Sequence, residues 1–229
     1  NQGINPIFPD AVLEEAERVP VELDDKEILT RRDFRSTLTF TIDPFDARDF
    51  DDAISYHKLE NGHYELGVHI ADVSHYVRPG TAMDDEALLR SNSVYLVDRV
   101  IPMLPEQLSN IACSLRPNED KYTFSAVFEM DEKGSVYNEW YGKGVIHSDR
   151  RFTYEEAQEI IEGKQGDYQD EILILDKIAK ILRKSRLKHG ALSIESEEMR
   201  FRLDDTGHPI EVLIKTSKDA NKLIEEFML

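Results

Sequence analysis

A chain of 229 residues is long enough to bury a substantial core, as one domain or one domain with an appendage. Its single cysteine, Cys113, excludes an internal disulfide and a cysteine-rich metal site, so a reducing, cytoplasmic setting is expected and Cys113 reads as a core residue. A formal net charge of −18 and the lack of any membrane-length apolar run predict a soluble chain whose phosphate-binding surface, if it has one, is confined to a groove.

Phe8-Pro9-Asp10 opens a helix with Asp10 as its cap and Val12, Ala16 and Val19 on one face, ending by Pro20. The acidic stretch Glu22 to Glu27 reads as a linker. Ser36 to Ile42 then alternates with a period of two, sending Leu38, Phe40 and Ile42 to a core. That strand delivers the chain into a loop in which Asp43, Asp46, Asp49, Asp51 and Asp52 crowd together. Carboxylates so close raise one another's pKa unless a multivalent cation sits among them. Oxygen-only donors suit Mg²⁺, Mn²⁺ or Ca²⁺ and not zinc. An EF-hand frame fails, because it places Phe45 or Ala53 where an acid is required. A merely solvated turn would not interleave Phe45 and Phe50, so a catalytic divalent-metal site is the preferred reading.

Beyond the loop, Ala53 to Glu60 and His63 to Ala71 flank Asn61-Gly62 and predict a hairpin, with Tyr64, Leu66, Val68 and Ile70 on one face. Pro79-Gly80 makes a turn, and Thr81 with Asp84 opens a helix through Leu88. Ser91 to Pro105 is apolar but interrupted by prolines, which predicts an extended wall and not a sheet centre. A second hairpin runs from Tyr122 to Met130 and Ser135 to His147, and Thr153 with Glu156 caps a short helix. Tyr168 to His189 is a longer helix with Ile172, Leu175, Ala179 and Leu182 on its stripe and Gly190 as its stop. Strands at Met199 to Leu203 and Ile210 to Lys215 follow, joined by Asp204-Asp-Thr-Gly207. Ser217 then caps a helix carrying Leu223, Ile224, Phe227 and Met228. A first residue other than methionine and a stop within an amphipathic helix predict an excised piece of something longer, with exposed apolar faces near Leu223 and Phe227 that favour self-association.

Other constellations are weaker. His69, Asp72 and His75 suggest a zinc site only if the chain turns there, and hydrogen-bonded turn residues are the preferred alternative. The basic cluster Lys177, Lys180, Arg183, Lys184, Arg186 and Lys188 is as well explained by a solvated face at a helix end as by RNA contact. Tyr95 and Phe201 are candidate base-stacking aromatics, but most aromatics serve the core and spacing alone does not single these two out.

The segment Thr41-Ile-Asp-Pro-Phe-Asp-Ala-Arg-Asp-Phe-Asp-Asp-Ala53 resembles the signature loop of the RNB catalytic domain in the ribonuclease II and ribonuclease R family. The resemblance continues through Val68 to Val77, Ser93 to Pro105, Cys113 to Asn118 and Lys222 to Met228, nearer throughout to the ribonuclease R branch. It implies a segment 1–30 preceding the catalytic domain and, in 31–229, the N-terminal portion of that domain. It implies an α+β fold with a curved, mainly antiparallel sheet, surrounding helices, and an incomplete C-terminal side. Asp43, Asp49, Asp51 and Asp52 match the family's four catalytic and metal-binding acids, while Asp46 falls at a variable position. Tyr95 matches the tyrosine that stacks near the terminal nucleotide, and Phe201 the phenylalanine that clamps the other end of the stacked bases.

The implied activity is hydrolytic 3′-to-5′ degradation of single-stranded RNA, from its 3′ end, to 5′-mononucleotides. It would use two Mg²⁺ ions, or Mn²⁺, to activate water and stabilise the leaving 3′-oxygen. Asp43 and Asp52 are expected as direct ligands, Asp49 as a ligand or orienting group, and Asp51 as the acid most tied to cleavage. The family's later arginine-rich segment and its cold-shock and S1 domains are absent from these residues, so the isolated chain is expected to be weakly active or inactive. The alternative is a non-catalytic RNB-like module that holds RNA or cations.

Overall fold

The computed structural model describes residues 5–192, 198–204 and 206–229. Its strands, in chain order, are β1 (Arg32–Asp33), β2 (Leu38–Asp43), β3 (Asp52–Lys58), β4 (Tyr64–Ala71), β5 (Val94–Tyr95), β6 (Val100–Ile101), β7 (Asp120–Met130), β8 (Val136–His147), β9 (Arg150–Thr153), β10 (Glu198–Leu203) and β11 (Pro209–Lys215). The helices are α1 (Asp10–Glu17), α2 (Asp25–Ile28), α3 (Val73–Tyr76), α4 (Ala82–Arg90), α5 (Tyr154–Ile161), α6 (Gln169–Lys188) and α7 (Asp219–Met228), with a π-helical turn at Gln107–Ala112.

Seven strands form one sheet in the order β1-β8-β7-β4-β3-β2-β9. The inner pairings are antiparallel, and β1 and β9 add to the edges in parallel. The expected mainly antiparallel α+β architecture is therefore what the chain adopts. Both predicted hairpins form. Gly62 takes a φ of +85°, a left-handed conformation that costs glycine nothing, and the Asn61 side-chain Oδ1 accepts from the His63 backbone N–H at 2.9 Å.

The sheet is covered on both faces. On one, Phe40, Ile42, Ile54, Leu66 and Phe152 pack against α5, α6 and α7 through Ile160, Leu175, Ile178 and Leu223. On the other, Phe34, Ala53, Ala71, Val127 and Ile146 meet Val12 and Ala16 of α1, Met83 of α4, and Leu108 and Leu115. The segment before Arg31 is thus part of the packed core, because α1 lends it two buried side chains. Double coverage also explains why β4 is buried on both of its faces along most of its length, where alternation alone predicts one apolar side.

Four local expectations are corrected. Asp10 is the first residue of α1 and does not cap it; Pro9 precedes the helix and no side chain caps it. The acidic linker contains α2, whose cap is Asp24, accepting from the Lys26 N–H at 2.9 Å. Ser217 is not the cap of α7; the Asn221 side chain instead accepts from the Lys218 N–H at 3.0 Å. Leu223 is fully buried and Phe227 packs against the same cluster, so the predicted exposed apolar face is covered by α5 and α6. Burial of a leucine of this kind contributes about 2 kcal/mol.

Candidate active site

The acidic loop joins β2 to β3, so its two ends are fixed by sheet pairing. Phe40 pairs opposite Ile54, and Asp52 sits opposite Ile70 of β4. Asp43 is the last residue of β2 and is buried; Asp49 and Asp52 are half-buried; Asp51 is exposed. Asp46 is exposed on the outer turn. Inside the loop the Ala47 N–H donates to the Pro44 carbonyl at 3.1 Å.

The loop is held from three directions. Ser114 accepts from the Phe50 N–H at 3.0 Å and donates to the Arg48 carbonyl at 3.2 Å, and the Leu115 N–H donates to the Phe50 carbonyl at 2.8 Å. The Ala71 N–H donates to the Asp51 carbonyl at 2.9 Å. From β9, Arg151 donates to the carbonyls of Pro44 and Phe45, and its guanidinium lies 5.4 Å from the centre of the Phe50 ring.

Electrostatically the carboxylates form one cluster. Burial, followed by the charges of Asp52 and Asp51, pushes Asp43 up to about 7 against the pull of a hydrogen bond donated by Thr41 and the nearby Arg151. Burial and the Asp51 charge raise Asp52 to about 6. Asp51 is raised by its protein surroundings and by Asp49. Asp43, Asp51 and Asp52 are thus each raised in part by the charge of a neighbouring acid. Among the described residues no three His, Cys, Asp or Glu side chains converge as a ready ligand set for a metal ion. The fit to a hard divalent cation is one of donor chemistry: oxygen donors only, with raised proton affinities that a cation would relieve.

Tyr95 stands beside this cluster, 70% exposed, its hydroxyl raised by burial and then by the charges of Asp49 and Asp51. Phe201 lies elsewhere, on the separate β10–β11 hairpin opposite Val212, and the contacts that hold the loop do not include it. The sequence reading missed two neighbours. Tyr154, raised to about 12 by burial and by Asp52 and Asp43, keeps its phenolic proton and lines a cavity of about 510 Å³ with Pro44 and Phe45. Arg151 is the other. The Thr153–Glu156 capping box, read correctly and present in both directions, already places Tyr154 at the start of a helix.

His69, Asp72 and three cations of the basic cluster are engaged in internal contacts. His69 is enclosed between Ser125 and Ser55 at 2.8 and 2.9 Å, whereas Asp72 pairs with Arg31 at 2.7 Å and accepts from Ser74, so the three-residue spacing builds no zinc site. In the basic cluster, Lys177 pairs with Glu132, Lys180 with Asp176 and Asp219, and Arg186 with Glu226. Cys113 is buried, and burial pushes its thiol to about 12.

The RNB domain family model matches residues 31–229, and the chain belongs to the RNB domain family. Ribonuclease R of Thermotoga maritima is 45% identical over 228 residues, which cover 97% of this chain and 32% of that protein. DIS3-like exonuclease 2 of Schizosaccharomyces pombe is 45% identical over 223 residues, covering 90% of this chain and 24% of that protein. The solved Mycoplasma genitalium RNase R in complex with ribose methylated single-stranded RNA matches with a TM-score of 0.88 at 29% identity, over 97% of this chain and 35% of that one. The chain thus spans a third or less of the length of these two curated relatives.

Proposed function

We propose that residues 31–229, preceded by the segment 1–30, supply the metal-binding part of the active site of a hydrolytic 3′-to-5′ exoribonuclease that shortens single-stranded RNA to 5′-mononucleotides. The observation that carries this reading is the gathering of carboxylates at the junction of β2 and β3, where Asp52 and Asp51 raise Asp43, Asp51 raises Asp52, and Asp49 raises Asp51. Asp43 and Asp52 hold the metal, Asp49 serves as ligand or orients one, and Asp51 serves the cleavage step. Bound Mg²⁺, or Mn²⁺ in its place, supplies water activation and charge relief at the scissile phosphate. Tyr95 offers an exposed ring on which the terminal base stacks, Phe201 clamps the far end of the stacked bases, and both act without reading sequence.

The RNA substrate is supported by the similarity to Mycoplasma genitalium RNase R, whose solved structure is a complex with ribose methylated single-stranded RNA. A cytoplasmic setting agrees with the one buried free cysteine and with the finding that no helix among the described residues is long and apolar enough to cross a membrane. The test is to incubate the full-length protein with 5′-labelled RNA with and without Mg²⁺. A metal-dependent ladder receding from the 3′ end is expected. Binding without shortening would leave only a holding role.

A further inference from the structure

We infer that Arg151 is a positioning residue that clamps the two arms of the acidic loop together and so sets the separation of its carboxylates. The inference rests on the exoribonuclease reading above for its kinetic consequence, but not for its structural content.

The observations converge from separate directions. β9 runs parallel to β2 at the sheet edge, with Arg151 in register with Thr41, the residue whose hydroxyl donates to Asp43. From that position one guanidinium nitrogen of Arg151 donates to both the Pro44 and Phe45 carbonyls, on the arm that leaves Asp43. The same guanidinium faces Phe50, on the arm that returns to Asp51 and Asp52. A planar cation with several donors can bridge a pair of carbonyls and a ring at once; an ammonium offers a point charge and no flat face. Among the described residues, the hydrogen bonds from Ser114, Leu115 and Ala71 fall on Arg48, Phe50 and Asp51, on the returning arm. Arg151 is thus the side chain that ties the departing arm to the returning one, and it brings positive charge into a crowd of acids.

Holding reacting groups in place is a large part of what a site of this kind contributes, and a displacement of about 1 Å costs on the order of 10²-fold in rate. Arg151 donates to backbone carbonyls, so the effect of losing it passes through the carboxylates and need not pass through RNA contact.

The test compares wild type, Arg151→Met and Arg151→Lys in the full-length protein by three readouts: single-turnover RNA shortening, RNA affinity in EDTA, and Mn²⁺ affinity by electron paramagnetic resonance without RNA. Arg151→Met is expected to lower the rate by on the order of 10²-fold and to weaken Mn²⁺ binding, with RNA affinity unchanged, while Arg151→Lys recovers part of both. Unchanged rate and unchanged Mn²⁺ affinity in Arg151→Met would overturn the inference. A loss of RNA affinity with Mn²⁺ affinity intact would also overturn it, since Arg151 would then be a substrate contact. If Arg151→Met does not fold, Arg151→Lys with wild-type rate and Mn²⁺ affinity overturns it, and Arg151→Lys with both reduced supports it. If the wild-type protein shortens no RNA, the exoribonuclease reading fails, and the Mn²⁺ arm still decides the role of Arg151.

Discussion

Asp43 and Asp52 stand at the two ends of one loop, the first closing β2 and the second opening β3, and the charge of Asp52 is felt at the buried carboxyl of Asp43. Neither end can drift away from the other, because β2 and β3 are paired neighbours. The sheet therefore holds together two groups that repel, and the cation that would reconcile them is the one the loop's donor chemistry favours.

That arrangement makes stability depend on pH and on metal. Asp43 titrates near 7 and Asp52 near 6, both above the ordinary value of 3.8. A carboxyl that holds its proton more tightly folded than unfolded contributes stability that is full below its unfolded value and is lost as pH rises through its folded value. In EDTA, Asp43→Asn should raise the melting temperature most at about pH 8, less at about pH 5, and leave it nearly unchanged below about pH 3.8. Mg²⁺ should stabilise wild type at the higher pH and the variant much less. An equal Mg²⁺ response in both proteins would remove Asp43 from the ligand set.

Asp51 differs from these two in being an exposed residue whose carboxyl is nonetheless raised, by partial burial and by the Asp49 charge. Asp51→Asn, which keeps shape and removes charge, should lower single-turnover cleavage by about 10²–10⁴-fold while RNA affinity by fluorescence anisotropy stays within about 2-fold. Near-normal turnover in a variant that still binds RNA would end its assignment to the cleavage step.

How much of this could be read from the chain alone follows the range of the interactions. The strand leading into the loop, the hairpin at Asn61-Gly62 and the capping box at Thr153 and Glu156 depend on neighbours in sequence, and all three are present. The parallel edge strands β1 and β9 were not legible, because each is short and pairs with a strand distant in sequence. With β9 unseen, Arg151 had no route to the loop. α2 was hidden in an acidic stretch because four residues carry too little apolar period to register. The apolar face of α7 was legible, but its cover was not, since α5 and α6 reach it only in the folded chain. Of the site, the acids and Tyr95 were visible as residue types; their mutual charges, and the help of Thr41 and Ser114, belong to geometry.

The buried pair of Arg31 and Asp72, 2.7 Å apart with both side chains almost wholly enclosed, ties the segment carrying α2 to the turn after β4. Arg31 also meets Glu27 at 2.8 Å and lies over the Tyr122 ring. Burial pushes Asp72 up, but Ser74 and Arg31 outweigh it and hold the carboxyl below its ordinary value. Asp72→Asn should cost about 3 kcal/mol in urea unfolding at neutral pH, because it leaves a buried guanidinium short of a partner. A depressed carboxyl contributes stability above its unfolded value and loses it as pH falls through the folded one, so the gap between wild type and variant should close in acid. A cost below about 1 kcal/mol would mean that water reaches the pair.

His69 presents the opposite case, a base kept neutral by enclosure. It lies opposite Ala53 on β3, next to Asp52, and burial together with the Arg32 charge brings it down to about 3. Gly67 makes room for it, since a Cβ there would stand 2.4 Å from the Ser55 hydroxyl and 2.6 Å from a His69 ring nitrogen. Gly67→Ala should therefore break this polar set and destabilise the protein by about 1–3 kcal/mol at neutral pH. The unfolded chain protonates His69 near 6.5 and the folded chain only near 3, so its contribution is full above 6.5 and is lost progressively as pH falls toward 3. His69→Gln keeps hydrogen-bonding capacity and removes that titration. Urea midpoints for wild type and His69→Gln should accordingly differ most above about pH 6.5 and converge toward about pH 4. A difference that stays constant across that interval would mean the ring is protonated alike in both states, which its enclosure between Ser55 and Ser125 does not permit.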